Sequence, residues 1–222
     1  MYKFTYFNNV HIKTILFCLI VGLIMIALPF FVKGLEKTRY TVYLGYLIIL
    51  VKIADSIYRY VYENESIIET MPLNLCNIAV LIAGVYFITK KNILINIVYF
   101  FSLGAVLAIL LPGIGSYNTK MYPYFFMAAH MMELIALVYA FIWLNAKITK
   151  KGLITSITLY LVLSVLVKIF DNLTGMNFMY LNDYIIPFMS VIKPIILYDV
   201  VLISLFVLSM IIAYLPFRNR KK

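Results

Sequence analysis

Residues 15–32 read ILFCLIVGLIMIALPFFV, and no charged side chain interrupts the run. A helix needs about 20 mostly apolar residues to cross the hydrocarbon of a bilayer. The run is longer than the apolar region of a signal peptide, and no small-residue cleavage site follows it. It is therefore expected to stay in the protein as a membrane helix. Six more segments of the same kind follow. The seven expected spans are 14–32, 41–62, 72–89, 93–112, 122–145, 152–171 and 194–216. Turn residues or charges separate them, as in KGLEKTR (33–39), PGIGSYNTK (112–120) and NAKITKKG (145–152).

Composition agrees with this reading. Of the 222 residues, 64% are hydrophobic and 13% charged, whereas soluble domains lie near half apolar and a quarter charged. The mean hydropathy is +0.99. No strand alternation, low-complexity tract, internal repeat or soluble domain is visible. The expected fold is an all-α polytopic membrane bundle, a single integral membrane domain over 1–222, multi-pass in the cell membrane. The two cysteines, Cys18 and Cys76, both fall in apolar segments, so no disulfide framework is expected.

The net charge is +10, and its placement sets the expected orientation. With the N-terminus outside, the inner loops and tail hold Lys33, Lys37, Arg39, Lys90, Lys91, Lys147, Lys150, Lys151, Arg218, Arg220, Lys221 and Lys222. The outer side holds only Lys3, Lys13, Lys120 and Lys193. This bias predicts N-outside and C-inside, with a basic cytoplasmic tail over 217–222 against anionic headgroups. Nucleic acid is excluded as a partner, because that would need a basic folded surface. Nothing in the chain sets an oligomeric state.

Charges within the spans are costly and usually face a bundle interior or a wet cavity. Lys52, Asp55 and Arg59 fall in the second span at spacings that share one helix face, so they can pair along it. Glu133, Lys168 and Asp199 lie in later spans, and Asp171 lies at a span end. At a rise of about 1.5 Å per residue, Cys76, Arg59, Lys168 and Asp199 sit roughly 6 Å or less below the outer ends of their helices. Asp55 and His130 sit about 10–12 Å in, with Lys52 and Glu133 near 15 Å. The polar groups thus cluster in the outer half, and a single outward-facing polar cavity is expected. The plain alternative is a set of structural ion pairs.

Within that zone MPLNLCNIAV (71–80) and YFFMAAHMMEL (124–134) carry the candidate chemistry. A thiol becomes a nucleophile once deprotonated, and a neighbouring imidazole can take its proton. Cys76 and His130 are the candidate pair. Glu133 or Asp199 would orient the imidazole, with Asn74 and Asn77 as amide alternatives. Those amides and the first-turn N–H groups after Pro72 could hold an oxyanion. The positive end of a helix dipole favours a thiolate. Cys18 has no polar neighbour and reads as a packing residue. His11, before the first span, reads as a solvated or headgroup-level residue. No metal is expected: one Cys, one His and scattered carboxylates are too few for a closed zinc site, and no HExxH or paired-Cys spacing occurs. No phosphate-cradling Gly-rich loop or nucleophile elbow is present either, and no cofactor is expected.

PLNLCN, FFMAAHMMEL, GMNFMYL (175–181) and YLPF (214–217) together resemble the YwaF family of bacterial integral membrane proteins. That family is related to an animal membrane acyltransferase of ether phospholipids, and the resemblance runs from the second span to the end of the chain. It implies a cysteine nucleophile at Cys76 and a catalytic histidine at His130, with Asn177 to Leu181, including Tyr180, lining the cavity. It also implies a phospholipid or lysophospholipid partner. The family pattern often has histidine where Asn74 stands.

Three functions are compatible with these residues. The first is a Cys–His phospholipid acyltransferase or acyl hydrolase, in which Lys52, Arg59 and Lys168 would suit a phosphate headgroup. The second is a membrane protein that binds or transports an anionic solute or lipid through the buried charge network. The third is a scaffold whose ion pairs fix helix packing.

Overall fold

Asn8 starts the bundle. Its side chain accepts the backbone N–H of His11 at 2.9 Å, the bond expected of an Asn N-cap, and α1 follows over Asn9–Phe31. The computed structural model describes residues 1–32 and 36–218. Within them α2 is Lys37–Tyr62, α3 Leu75–Thr89, α4 Asn92–Phe101 and α5 Ala105–Leu110. A 3₁₀ turn over Ser102–Gly104 joins α4 and α5 into one span, Asn92–Leu110. Next come α6, Tyr122–Trp143, α7, Lys150–Thr174, and α8, Ile195–Tyr214. Thr149 caps α7 by accepting the Gly152 N–H at 3.0 Å. Gly175, at φ 74°, ends it in the left-handed conformation that glycine adopts freely. The protein is an all-α helical bundle of the polytopic membrane kind.

Six of the expected spans are helices long and apolar enough to cross a membrane. The seventh, α3, is apolar but has 15 residues, about 22 Å against a hydrocarbon thickness of about 30 Å. Its start lies at Leu75 rather than 72. Proline lacks the N–H a helix needs beyond its first turn, and Asn74 is extended, at φ −71° and ψ 145°. The bundle is also apolar outside. Leu23, Phe31, Val165 and Val200 are among many large side chains that remain exposed, which suits contact with lipid. Of the expected basic tail, residues 219–222 lie outside the described residues, as does Lys33.

Two apolar cores meet at α3. One joins α3 to α1, α2 and α6 through Ile48, Val80, Phe87, Met127 and Tyr139. The other joins it to α4, α7 and α8 through Ala79, Phe100, Tyr160 and Met210. The backbones of α2 and α3 approach closely. A Cβ placed on Gly45 would stand 2.7 Å from the Gly84 carbonyl oxygen, and one on Gly84 would stand 2.8 Å from that of Gly45. Small residues allow helix backbones to touch in this way. α6 packs against α1, α2, α3, α4 and α5. The two helices that carry Cys76 and His130 are therefore both interior.

The end of the bundle that holds the N-terminus is stitched by short contacts. A two-residue strand, β1 (Tyr2–Lys3), pairs antiparallel with β2 (Ser116–Tyr117) in the α5–α6 connection. The Glu63 carboxylate accepts Asn118 N–H at 2.5 Å and Thr119 N–H at 3.1 Å, tying the end of α2 to the same connection. His11 corrects an expectation. It is fully buried, not solvated. Its Nδ1 accepts the Phe7 N–H at 2.9 Å, so its Nε2 carries the hydrogen and donates to the Ile109 carbonyl at 2.8 Å. The imidazole clamps α1 to the end of α5.

Candidate active site

Cys76 occupies the first turn of α3, where helix N–H groups have no intrahelical acceptor. The first such bond in α3 runs from Ile78 to the Asn74 carbonyl, at 3.1 Å. Across the interface with α6, His130 and Glu133 stand one turn apart on the same face. His130 Nδ1 and Glu133 Oε1 are 3.3 Å apart. One ligand-type atom from each of Cys76, His130 and Glu133 lies within 4.8 Å of the other two. The thiol faces the Glu133 carboxylate. Cys76 is half-buried and the His130 side chain 12% exposed, whereas Glu133 is fully buried. Ser102, in the 3₁₀ turn of the α4–α5 span, looks toward Glu133 from a third helix. By hydrogen-bond geometry, neither its Oγ nor Glu133 Oε2 has a partner among the described residues.

Above this cluster, at the N-terminal end of the bundle, opens a hollow of about 470 Å³. Arg59, Glu63, Glu65, Glu69, Asn74 and Tyr122 line it, together with parts of the 113–118 and 176–178 connections. Its wall stops at Asn74, and neither Cys76 nor His130 lies on it. Around its rim, Arg59 pairs with Glu65 and donates to the Glu69 carbonyl at 3.0 Å. The Ser66 N–H, 2.6 Å from the Glu69 carboxylate, holds that group below its ordinary pKa.

A model of the TMEM164 family matches residues 6–214. The chain belongs to the TMEM164 family. A relative from Treponema pallidum (strain Nichols), described as an uncharacterized protein, is 26% identical over 215 residues, which is 97% of this chain and 90% of the relative. No solved structure matches. The family match covers nearly the whole stretch over which the motifs resemble an acyltransferase-related family, and it includes every candidate site residue.

In this TMEM164-family chain the remaining candidates divide among separate places. Asn74 is engaged with the loop after α7: its Oδ1 accepts the Met179 N–H at 2.8 Å. Met179 and Tyr180 both have positive φ, 54° and 59°, a conformation that non-glycine residues adopt only when their surroundings enforce it. This turn brings the Tyr180 hydroxyl toward Cys76 and Gly113. Burial, chiefly, and the thiol beside it push the phenol's pKa up, although 42% of the residue stays exposed. Asn177 is exposed and accepts the N–H groups of Asn182 and Asp183, so it shapes the loop and borders the hollow. Asn77 is half-buried on α3 and makes no side-chain hydrogen bond among the described residues.

The charges do not share one cavity. Lys52 and Asp55 close on each other at 2.5 Å, 2% and 5% exposed, and neither lines the hollow, although Asp55 lies within electrostatic reach of Arg59 and Tyr122 on its wall. Lys168 pairs with Asp199 at 2.9 Å between α7 and α8 and also donates to the Leu181 carbonyl. Asp199 is thereby placed away from the imidazole, and Glu133 takes the orienting position. Only Arg59 of the expected headgroup cations lines the hollow. One residue escaped the sequence reading: Ser102, whose signal was a lone hydroxyl in YFFSLG (99–104).

Proposed function

We propose that this membrane protein is a lipid acyltransferase or acyl hydrolase that works through a thioester on Cys76. One observation carries the reading: the thiol, imidazole and carboxylate come from two interior helices and gather at the start of a 15-residue helix, shorter than a full crossing. Their spacing is loose for hydrogen bonds, but catalytic contacts commonly tighten only when substrate binds.

In the first half-reaction His130 takes the Cys76 proton, with Glu133 orienting and balancing the imidazolium. The thiolate attacks the carbonyl carbon of a phospholipid acyl ester. The tetrahedral oxyanion finds the unpaired first-turn N–H groups of α3, the arrangement that stabilises such charge. The intermediate collapses, the C–O bond breaks, and the departing lysophospholipid oxygen receives the proton from His130. In the second half-reaction the hydroxyl of a lysophospholipid, or water, gives its proton to His130 and attacks the thioester. The thiolate leaves and recovers its proton. The Arg59-lined hollow would take the phosphate of the headgroup, and the acyl chain would lie between helices in the hydrocarbon.

In this reading the chain sits in the cell membrane with its N-terminus and the hollow outside, and the YwaF-like motifs mark the catalytic pair. The transport alternative has less support, because Lys52–Asp55 and Lys168–Asp199 each close on themselves as ion pairs, and Arg59 pairs with Glu65. The test is to incubate purified protein with a phospholipid that bears a tagged acyl chain. Hydroxylamine-labile labelling is expected in the wild type and absent in Cys76→Ala. Labelling that survives the substitution overturns the mechanism.

A further inference from the structure

We infer that Cys76, His130 and Glu133 form a binding site for one soft divalent cation of the zinc type, and that metal occupancy and acyl transfer exclude each other. Three donors of different chemistry already point at one place, with their ligand atoms no more than 4.8 Å apart. Ligands held 2.0–2.3 Å from a tetrahedral ion stand roughly 3.3–3.8 Å from one another. Side-chain shifts on the order of 1 Å would therefore close the site. The ligands are fixed by structure: His130 and Glu133 lie one helical turn apart, and Cys76 sits at the start of a packed helix. His and carboxylate side chains at i and i+3 on an inward face are a usual way for helical bundles to hold metals.

A second, independent observation points to a ligand. Glu133 is fully buried, and its Oε2 makes no well-formed hydrogen bond among the described residues, with only the Ser102 hydroxyl and the Cys76 thiol turned toward the carboxylate. Ser102 Oγ, equally unpartnered, stands beside it. A carboxylate oxygen in a helical interior without a donor is costly, and a bound dication or its water would satisfy both atoms. A thiolate, a neutral imidazole and a carboxylate suit zinc, and three protein ligands leave a fourth position for water. This differs from the closed four-ligand site that the sequence excludes.

Exclusion follows from the electrons. The metal draws charge from the thiolate and weakens it as a nucleophile, and the imidazole lone pair that takes and returns the proton is engaged on the ion. Binding expels the thiol proton to solvent, and leaving returns it. The metal site stands without the acyl-transfer reading, whereas the exclusion rests on it.

The experiment uses full-length protein in detergent, stripped with chelator and titrated with ZnCl₂ against a chromogenic zinc chelator. One equivalent is expected for the wild type and for Cys18→Ser, with affinity at least about tenfold lower in Cys76→Ser, His130→Ala and Glu133→Gln. Cobalt should give a thiolate charge-transfer band that Cys76→Ser lacks. Zinc should protect Cys76 of the unmutated protein from a thiol-alkylating probe, and chelator should restore labelling. Absence of stoichiometric zinc, or unchanged affinity in Cys76→Ser, overturns the site. Zinc binding by a protein that never forms the thioester keeps the site and removes the enzymatic reading. Thioester formation undiminished by saturating zinc removes the exclusion.

Discussion

The protein holds the same side chain twice, in two apolar helices, with opposite surroundings. Cys18 is buried in α1, 5% exposed, beside a small gap of about 40 Å³ walled by Phe17, Val21, Ala128, Met131 and Ile135. Every neighbour there is hydrocarbon or thioether, and the thiol behaves as a small apolar group. Cys76 is half-buried at a helix mouth, with an imidazole and a carboxylate within reach. A cysteine's chemistry is thus set by which groups the neighbouring helices turn toward it. Helical position decides this more than hydrophobicity does, since both flanking sequences are oily.

The comparison breaks first at the thiols themselves. Cys76→Ala should lower acyl turnover by about 10³-fold or more, as loss of a nucleophile does, while Cys18→Ala stays within about twofold. Turnover measured on tagged phospholipid decides it, and equal effects would erase the distinction. Next, Glu133→Gln removes the charge behind His130 and should cost on the order of 10²–10⁴ in turnover, with thermal stability equal to or above wild type. A parallel loss of both would make Glu133 structural. A smaller effect is expected of Asn74→Ala, which frees Met179 N–H and the turn that carries Tyr180. Loss of a part-buried bond of this kind costs about 1 kcal/mol locally. Limited proteolysis within 176–181 should quicken, and KM should rise more than kcat falls. The smallest effect belongs to Cys18→Ala in stability, about 1 kcal/mol or less, since its gap already exists and one sulfur adds little to it. A melting curve in detergent measures it.

The spans were legible because their length and oiliness answer directly to bilayer thickness. α1 ends within a residue of its expected boundary, and α6 within two. α3 starts later than expected because a proline and an extended asparagine precede it, a local backbone effect that hydropathy does not register. The position of each polar group along its helix was also legible, since rise per residue is fixed. Their azimuth was not. Lys52, Asp55 and Arg59 share a helix face by spacing, yet Arg59 turns to Glu65 and leaves the other two paired. That choice depends on a loop folding back over the end of α2. Asp199 and Glu133 looked alike in sequence, and only the packing of α8 against α7 assigned Asp199 to Lys168. His11 reaches a carbonyl 98 residues away, a contact that spacing does not encode.

The shortness of α3 has a consequence for where chemistry can happen. Taken up wholly at its first turn, a deficit of about five residues against a full crossing would set that turn about 8 Å below the ends of the longer helices. The 71–74 connection and the hollow lie on that side of α3, and there the boundary between water and hydrocarbon would bend inward. The ester linkages of a phospholipid rest below the headgroup plane. At this dip they would meet the sulfur at their natural depth, and the lipid would not need to be lifted from its leaflet.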